Sequence, residues 1–558
     1  MNTAIYFHPE AYTTTGPKLM GRNAAGESFL RGFFTHSHNG EFWVQVEKIE
    51  HAKAFANAAQ VAGRTEPVKV IDKSSLAALR QPGVVYYPGP GIGVHARKRG
   101  LVGATADTSG HCAWSLCGIT HTTSSAVAMD ALVDLLTAPV QPWDAVICTS
   151  NAVKGNVEKL LQAEADYLVQ RLGVQRLVLP QLPVIPLGIH TTDFSFTPEQ
   201  KAQARSAVGA DEQTLVVLYT GRLSFHAKAH PLAMYQALES AANVLTPGQK
   251  LLLVECGWHA NEYIANAYTE AARLACPSVQ VRVLDGRDPA ARSTAWACAD
   301  VFCSLSDNIQ ETFGIVPIEA MAAGLPVVVS DWDGYKDTVR DGVDGYRIRT
   351  LQPQAGLGAD LAVRHALDLD TYDMYCGHAC SLVAVDVQAT AAAFVRLFAS
   401  ADLRRNMGEA GQQRARRDYD WTAIIARYEA LWAQQNDIRL ASQNKIKPLP
   451  NPWPARMDPF SAFGNYPSHV LGTETVLRLV DASPDVAIKR VQQYQQLAMV
   501  NFAKVVLPSN DEMVAILTAA SNGPCSAGKM IQSIVPARQA QALRTIGWLA
   551  KLGILNWT

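Results

Sequence analysis

The chain is short of paired cysteines, of net charge and of long apolar runs, and each shortage excludes something. Its 10 cysteines include no Cys-x-x-Cys pair, so zinc-ribbon spacing is absent. The scattered thiols read as reduced core residues of a cytoplasmic protein. Two tighter groups, His111-Cys112 with Cys117 and His121, and Cys376-Gly-His378-Ala-Cys380, also lack metal-ligand spacing. Lys and Arg number 49 against 50 Asp and Glu, so no field of one sign draws in nucleic acid or a membrane. No apolar run approaches the roughly 20 residues of a membrane span. The opening Ala4-Ile-Tyr-Phe7 is too brief for the apolar stretch of a secretory signal.

What is present is 558 residues at 48% hydrophobic and 18% charged, enough for more than two domains with full cores. Apolar strands alternate with helical segments, which predicts doubly wound parallel sheets. Strands are expected at 4–7, 42–46, 84–87, 115–119 and 145–149, then again at 214–219, 250–254, 279–284, 300–304, 327–330 and 345–349. The break between the two series falls at Pro183-Val-Ile-Pro-Leu-Gly-Ile-His190, where two prolines and a glycine suit a hinge. Residues 350–379 read as an elaboration of the second series. Lys447-Pro-Leu-Pro-Asn-Pro-Trp-Pro454 favours extended polyproline geometry and precedes a separate unit of mainly helical pattern. Residues 441–558 carry 11 Lys and Arg against 6 Asp and Glu. With Trp548, Leu549 and Leu552 this excess suggests a docking surface there. A faint winged-helix pattern near the end lacks the dense basic face that DNA binding needs.

The most informative stretch is Glu311-Thr-Phe-Gly-Ile-Val-Pro-Ile-Glu319, followed by Ala320-Met-Ala-Ala-Gly-Leu-Pro326 and Val327-Val-Val329. Glu311 reads as a loop residue and 312–323 as a helix. Phe313, Gly314 and Ile315 would lie in its first turn, with free N–H groups at the positive end of the dipole. A diphosphate could rest there. The two carboxylates would accept hydrogen bonds from sugar hydroxyls, one from a hexose and one from a ribose. A second motif, Thr220-Gly221-Arg222-Leu-Ser-Phe-His-Ala-Lys228, follows a buried strand. Its two cations can neutralise a departing diphosphate at the carboxyl end of a parallel sheet. Pro88-Gly-Pro-Gly-Ile-Gly93 lacks true phosphate-loop spacing. It reads as a loop at an acceptor cleft, where His95 and the basic trio 97–99 would meet an anionic acceptor.

Glu-x7-Glu around Phe-Gly, with Glu-Ala-Met-Ala-x-Gly-x-Pro-Val, resembles the retaining glycosyltransferases of family 4 over roughly four fifths of the chain. The resemblance implies an α/β, GT-B fold: two Rossmann-like domains facing a cleft, 1–186 and 187–420. A crossing-back helix and linker, 421–446, and a small mainly α C-terminal domain, 447–558, would follow. It implies catalytic roles for Glu311, Arg222, Lys228 and His121. Donor contacts fall to Gly26, Gly221, Asp285, Gly286, Arg287, Thr312, Phe313, Gly314, Ile315 and Glu319. Lys228 stands one residue further from Arg222 than the family's usual spacing. Ala25-Gly26 replaces the family's Gly-Gly in a loop expected to open a helix at Phe29. Asp285-Gly-Arg287 matches a family loop that helps hold the nucleotide base. The implied reaction moves a sugar from a UDP- or GDP-sugar to a glycan, lipid-linked or small-molecule acceptor, with no cofactor and no metal. A peripheral membrane contact, a protein partner or a homo-oligomer through the C-terminal unit fits the same reading. A GT-B epimerase or phosphorylase, or a catalytically silent partner-binding subunit, are the alternatives.

Overall fold

The computed structural model describes residues 2–13, 21–105 and 109–557. These form two compact units, 1–453 and 454–558. The first unit holds two six-stranded sheets. One is built from β1 (Ala4–Phe7), β2 (Phe42–Val46), β3 (Val68–Ile71), β4 (Val84–Tyr86), β5 (Ser115–Ile119) and β6 (Ala145–Ile147). The other contains β7 (Thr214–Thr220), β8 (Lys250–Gly257), β9 (Gln280–Asp285), β10 (Val301–Ser304), β11 (Val327–Ser330) and β12 (Gly345–Ile348). Strand order is β3-β2-β1-β4-β5-β6 in the first and β12-β11-β10-β7-β8-β9 in the second. Every pairing within them is parallel. Read from each sheet's own first strand, both follow the Rossmann order 3-2-1-4-5-6. The two Rossmann-like domains expected from the sequence are therefore present. Central strands such as Leu215-Val-Val-Leu218 are buried on both faces, as helices covering both sides of a parallel sheet require.

β3 was not anticipated. It is an edge strand in which Lys69 and Val70 are exposed, so it shows no apolar run. The helix expected to open at Phe29 instead begins at Gly21 and runs to His36. Gly26 lies inside that helix, not in a loop. A Cβ there would fall 2.0 Å from the Ala11 carbonyl oxygen, so its bare Cα serves helix packing within the first domain. The expected loop at 88–93 ends in a helix, Gly93–Val102, that carries His95 and the basic trio. Residues 14–20, on the approach to Gly21, lie outside the described residues.

The chain crosses back at Asp420, which caps the helix Trp421–Ser442 by accepting from Thr422 N–H. One face of this helix, Trp421, Ile424, Tyr428, Leu431 and Trp432, joins Ile5, Phe29, Phe33 and Tyr86 in the first domain's core. Gln435 Nε2 donates to the carbonyls of Leu116 and Trp143, each at 2.9 Å. Residues 350–385 form the expected elaboration: a strand pair, β13 (Thr350–Leu351) with β14 (Ala384–Val385), and helices Ala359–Ala366 and Tyr372–Cys380.

The second unit has its own core around Leu477, Val491, Ile516, Ile546 and Leu555. Besides helices it contains an antiparallel sheet ordered β16 (Cys525–Ser526), β15 (Val476–Leu479), β17 (Leu555–Trp557). Leu549 is fully buried there, and Trp548 and Leu552 pack against the same core. The residues of the expected docking cluster thus contribute to this core, Leu549 fully and Trp548 and Leu552 in part, with Leu552 at the C-cap of helix Gln539–Lys551.

Trp421 is 1% exposed and its indole N–H donates to Ser28 Oγ at 2.8 Å. Trp421→Ala is therefore expected to cost about 3–5 kcal/mol in chemical unfolding of the first unit. A midpoint unchanged from wild type would contradict this packing.

Candidate active site

The loops after β7, β10 and β11 gather at the carboxyl edge of the second sheet, where such sheets bind ligands. Gly221 follows β7, and its N–H donates to the Cys256 carbonyl at 3.0 Å. Arg222 Nη2 donates to the Ala227 carbonyl at 2.8 Å, which curls the loop. Lys228 at its end forms an ion pair with Glu311 from the loop after β10. Between them, Asn308 Nδ2 donates to the His226 carbonyl at 3.0 Å. Asp307 accepts the His230 N–H at 3.2 Å, and burial pushes its carboxyl up to about 7.

Burial pushes the Glu311 carboxyl up, but its other neighbours outweigh burial. The Lys228 charge and hydrogen bond, with the N–H groups of Thr312 and Gly314, leave it below the usual carboxylate value. Glu311 is thus held ionised from two sides. The helix after it differs from expectation. It spans Ile315–Ala322, with Gly314 as its N-cap at φ +75°. That left-handed turn keeps Thr312, Phe313 and Gly314 out of the helix. The Gly314 N–H already serves Glu311, and Pro317 has no N–H to give. Ile315 and Val316 therefore supply the first-turn amides.

Glu319 stands on the partly buried face of this helix. Burial pushes its carboxyl up to about 7; Arg292 opposes the rise and Asp193 adds to it. Arg292 also donates to the Gly286 carbonyl at 2.8 Å. It thereby links Glu319 to the Asp285-Gly286-Arg287 loop after β9, whose outer residues pair with each other at 2.8 Å.

The first domain meets the Glu311 loop directly. Thr312 Oγ1 donates to the His121 carbonyl at 3.2 Å. Ser150, at the N-cap of helix Asn151–Leu172, lies 2.8 Å from the Thr312 carbonyl oxygen. The Tyr372 hydroxyl lies 3.0 Å from Ser124 Oγ and 3.3 Å from Thr122 Oγ1. Lys228, Glu311 and Thr312 thus come together with the backbone carbonyl of His121; Gly26 is placed by its own helix packing. Ser150, Arg292, Asp333 and Tyr372 were missed. The rule that singled out Arg222, a loop at the carboxyl end of a strand, applies equally to Ser150 after β6 and Asp333 after β11.

Two of the basic trio do not fit the anionic-acceptor expectation. Arg97 pairs with Asp134 at 2.6 Å, and Arg99, fully buried, pairs with Asp144 at 2.7 Å. His95 stacks on Tyr87 at 3.8 Å between ring centroids. Burial, then the Lys98 charge, lowers its pKa to about 3. Arg97, Arg99 and His95 are thus engaged by partners of the same domain. Among the described residues, no group of three His, Cys, Asp or Glu is placed to hold a metal ion, and no helix is long and apolar enough to cross a membrane.

With this geometry in view, the family comparison is informative. Residues 200–356 match the family model described as Glycosyl transferases group 1. That segment is similar to the glycosyltransferases the model describes. It contains Arg222, Lys228, Glu311 and Glu319, whereas the C-terminal unit lies outside it. The chain is similar to D-inositol 3-phosphate glycosyltransferase of Nocardia farcinica, 30% identical over 226 residues, covering 38% of this chain and 48% of that protein. It is also similar to phosphatidyl-myo-inositol mannosyltransferase of Mycobacterium tuberculosis, 33% identical over 180 residues, covering 32% of this chain and 42% of that protein. The chain spans between a third and a half of the length of the curated relatives it matches. Among solved structures, Anabaena HepE in complex with UDP and glucose aligns at 15% identity and TM-score 0.48, over 78% of this chain and all of that one. That score is low, and the fold assignment rests on the two sheets themselves.

Two outcomes follow from the site. A Cβ at Gly314 would lie 1.8 Å from Tyr335 Cε1, a fully buried ring, on a backbone that side chains resist. Gly314→Ala is expected to lose about 2–4 kcal/mol in a urea titration, and wild-type stability would refute the turn. Glu319 has a folded-state pKa above its ordinary value, so it favours the fold while neutral and the benefit is lost as pH rises through about 7. Glu319→Gln should therefore gain stability relative to wild type above that pH. Parallel stability curves for the two proteins would rule out a buried Glu319.

Proposed function

We propose that the chain is a retaining glycosyltransferase that takes its sugar from a nucleoside-diphosphate sugar. One observation carries the reading: the residues of the matched segment able to meet such a donor lie along one edge of the second sheet. Lys228 and Arg222 would meet the diphosphate, and the Ile315 and Val316 amides would add the positive end of their helix. Glu311 would accept from the hexose hydroxyls with the lone pairs that Lys228 and the loop amides leave free. Glu319, with Arg292 beside it, would hold the ribose, and the Asp285–Arg287 loop the base.

As the bond from sugar to phosphate breaks, negative charge grows on the diphosphate and positive character on the sugar. Cations already placed on the bound diphosphate stabilise that separation. The acceptor hydroxyl attacks the face the leaving group departs from, and a diphosphate oxygen takes its proton, so the anomeric configuration is retained. Lys228 must then turn from Glu311 toward phosphate, exchanging one anion for another. The acceptor is a glycan, lipid-linked or small-molecule hydroxyl reaching the cleft past His121. UDP- and GDP-sugars are the proposed donors. The charge that a metal would supply is assigned to Arg222, Lys228 and the helix end.

The test is transfer or slow hydrolysis of labelled UDP-glucose, GDP-mannose and ADP-glucose in EDTA, with the product anomer read by NMR. One donor should be consumed with retention. Arg222→Ala should lower kcat/KM by about 2–4 kcal/mol of transition-state stabilisation. Glu311→Gln should slow turnover chiefly, leaving the free nucleoside diphosphate bound. Inversion, full dependence on added Mg²⁺ or wild-type turnover by Arg222→Ala would each overturn this reading.

A further inference from the structure

Tyr372 reaches from the elaboration between β13 and β14 to the first domain. That elaboration is braced on itself. Asp370 accepts from Arg364 Nη2 at 2.7 Å and faces His378 Nδ1 at 3.2 Å. The His365 ring stacks on Tyr375 at 4.1 Å between centroids. Helix Ala359–Ala366 is thereby tied to helix Tyr372–Cys380. Thr371 caps the second helix by accepting the Met374 N–H, which fixes where Tyr372 leaves it.

One face of this second helix meets the loop after β7. A Cβ at Gly377 would lie 3.0 Å from His226 Cβ, so the helix backbone comes close to that loop. Cys380 Sγ lies 3.9 Å from the carbonyl oxygens of Phe225 and His226. Tyr372, Cys376 and Cys380, spaced four residues apart, share this face. Cys376 is fully buried. Burial pushes its thiol up to about 11; the hydroxyls of Tyr372 and Ser124 pull the other way, Asp373 adds to the rise and the Arg222 charge opposes it. The helix therefore stands between the loop of Arg222 and the first domain.

The first-domain side is held as firmly. Asn156 Nδ2 donates to Thr123 Oγ1 at 2.7 Å, and Ser125 caps helix Ala126–Val133 by accepting the Ala128 N–H. Thr122 Oγ1, Ser124 Oγ and the Tyr372 hydroxyl close a ring of three, with edges of 3.2, 3.0 and 3.3 Å. Each hydroxyl can donate to one neighbour and accept from another, so the ring satisfies itself without a charge. The residues that Tyr372 meets follow His121, past which the acceptor is proposed to enter. The family match ends at residue 356. Thr312 and Asp337 touch the first domain from inside that segment; Tyr372 touches it from outside.

We propose that Tyr372 is a positioning residue: bonded to Ser124 and Thr122, it holds the elaboration across the gap between the Arg222 loop and the first domain and so keeps water from the reacting sugar. What it shields rests on the glycosyltransferase reading; the holding involves no substrate. Excluding water from a closed site suppresses hydrolysis of the activated group. Without the hydroxyl, water reaches the anomeric carbon. Its oxygen bonds to that carbon as the bond to the diphosphate oxygen breaks, and its proton passes to the diphosphate, giving free sugar and nucleoside diphosphate.

Tyr372→Phe keeps the ring and removes the hydroxyl. Two measurements on the full chain test it. Without sugar, hydrogen exchange of peptides covering 121–126 and 372–380 should be about 2–10-fold faster than in wild type, the worth of one neutral hydrogen bond. Without acceptor, hydrolysis of whichever of UDP-glucose, GDP-mannose and ADP-glucose wild type consumes should rise in kcat by a similar factor, with donor KM and nucleoside-diphosphate affinity unchanged. Ser124→Ala should shift both in the same direction. Adding it to Tyr372→Phe should change little more, because that bond is already gone. Wild-type exchange in Tyr372→Phe, unchanged or slower hydrolysis, or a loss of nucleotide affinity that marks a disturbed donor site would each overturn the proposal. A wild type that consumes none of the three donors fails the enzymatic reading and removes the shielding with it; the exchange result still decides whether Tyr372 holds the elaboration.

Discussion

The ion pair between Lys228 and Glu311 joins the loop that leaves β7 to the loop that leaves β10. Side-chain exposure there is 22% for Lys228 and 10% for Glu311, so both charges have given up much of their water. Such pairs add little net stability, because desolvation offsets most of the Coulombic gain. Their value lies in orientation. Glu311 is gripped by Lys228 on one side and by its own turn's amides on the other, and that turn exists because Gly314 is left-handed. The carboxylate therefore points to one place, and the helix Ile315–Ala322 starts where its first free amides face the same place. Removing Lys228 would leave Glu311 charged with only backbone donors; removing Glu311 would free Lys228 to wander.

A second constraint couples this edge to the first domain. The chain's return through Asp420 and helix Trp421–Ser442 inserts two tryptophans into the first core, so the two sheets are anchored at a distance from the cleft. At the cleft the contacts are polar and few: Ser150 and His121 on Thr312, Asn151 on Asp337, and Ser124 on Tyr372.

Much of the fold was legible because parallel strands buried on both faces read as unbroken apolar runs, as at Val216–Leu218 and Val327–Val329. β3 escaped because an edge strand with Lys69 and Val70 exposed has no such run. At the site, Lys228 and Glu311, both singled out by residue type and spacing, form an ion pair. The turn at Gly314 was not legible, because nothing in the local pattern separates a left-handed N-cap from a glycine inside the first helical turn. Arg97 and Arg99 misled for a different reason: their partners Asp134 and Asp144 are 37 and 45 residues away, and periodicity carries no information about such pairs. The C-terminal helix 539–551 showed a tryptophan and leucines at helical spacing, which describes a core face as well as a docking face. The structure buries Leu549 and leaves Trp548 and Leu552 partly buried against the same core.

The central claim is that Lys228 leaves Glu311 for the phosphates of a nucleotide. Calorimetric titration of UDP, GDP and ADP, each beside its monophosphate, into wild type and Lys228→Ala measures this directly. The account predicts that one diphosphate binds wild type with an affinity that weakens with salt, and that Lys228→Ala binds it about 10–100-fold less tightly, the worth of one charge-assisted contact. The monophosphate should change little between the two proteins. Equal diphosphate affinity in wild type and Lys228→Ala, or no binding of any of the three, would contradict it.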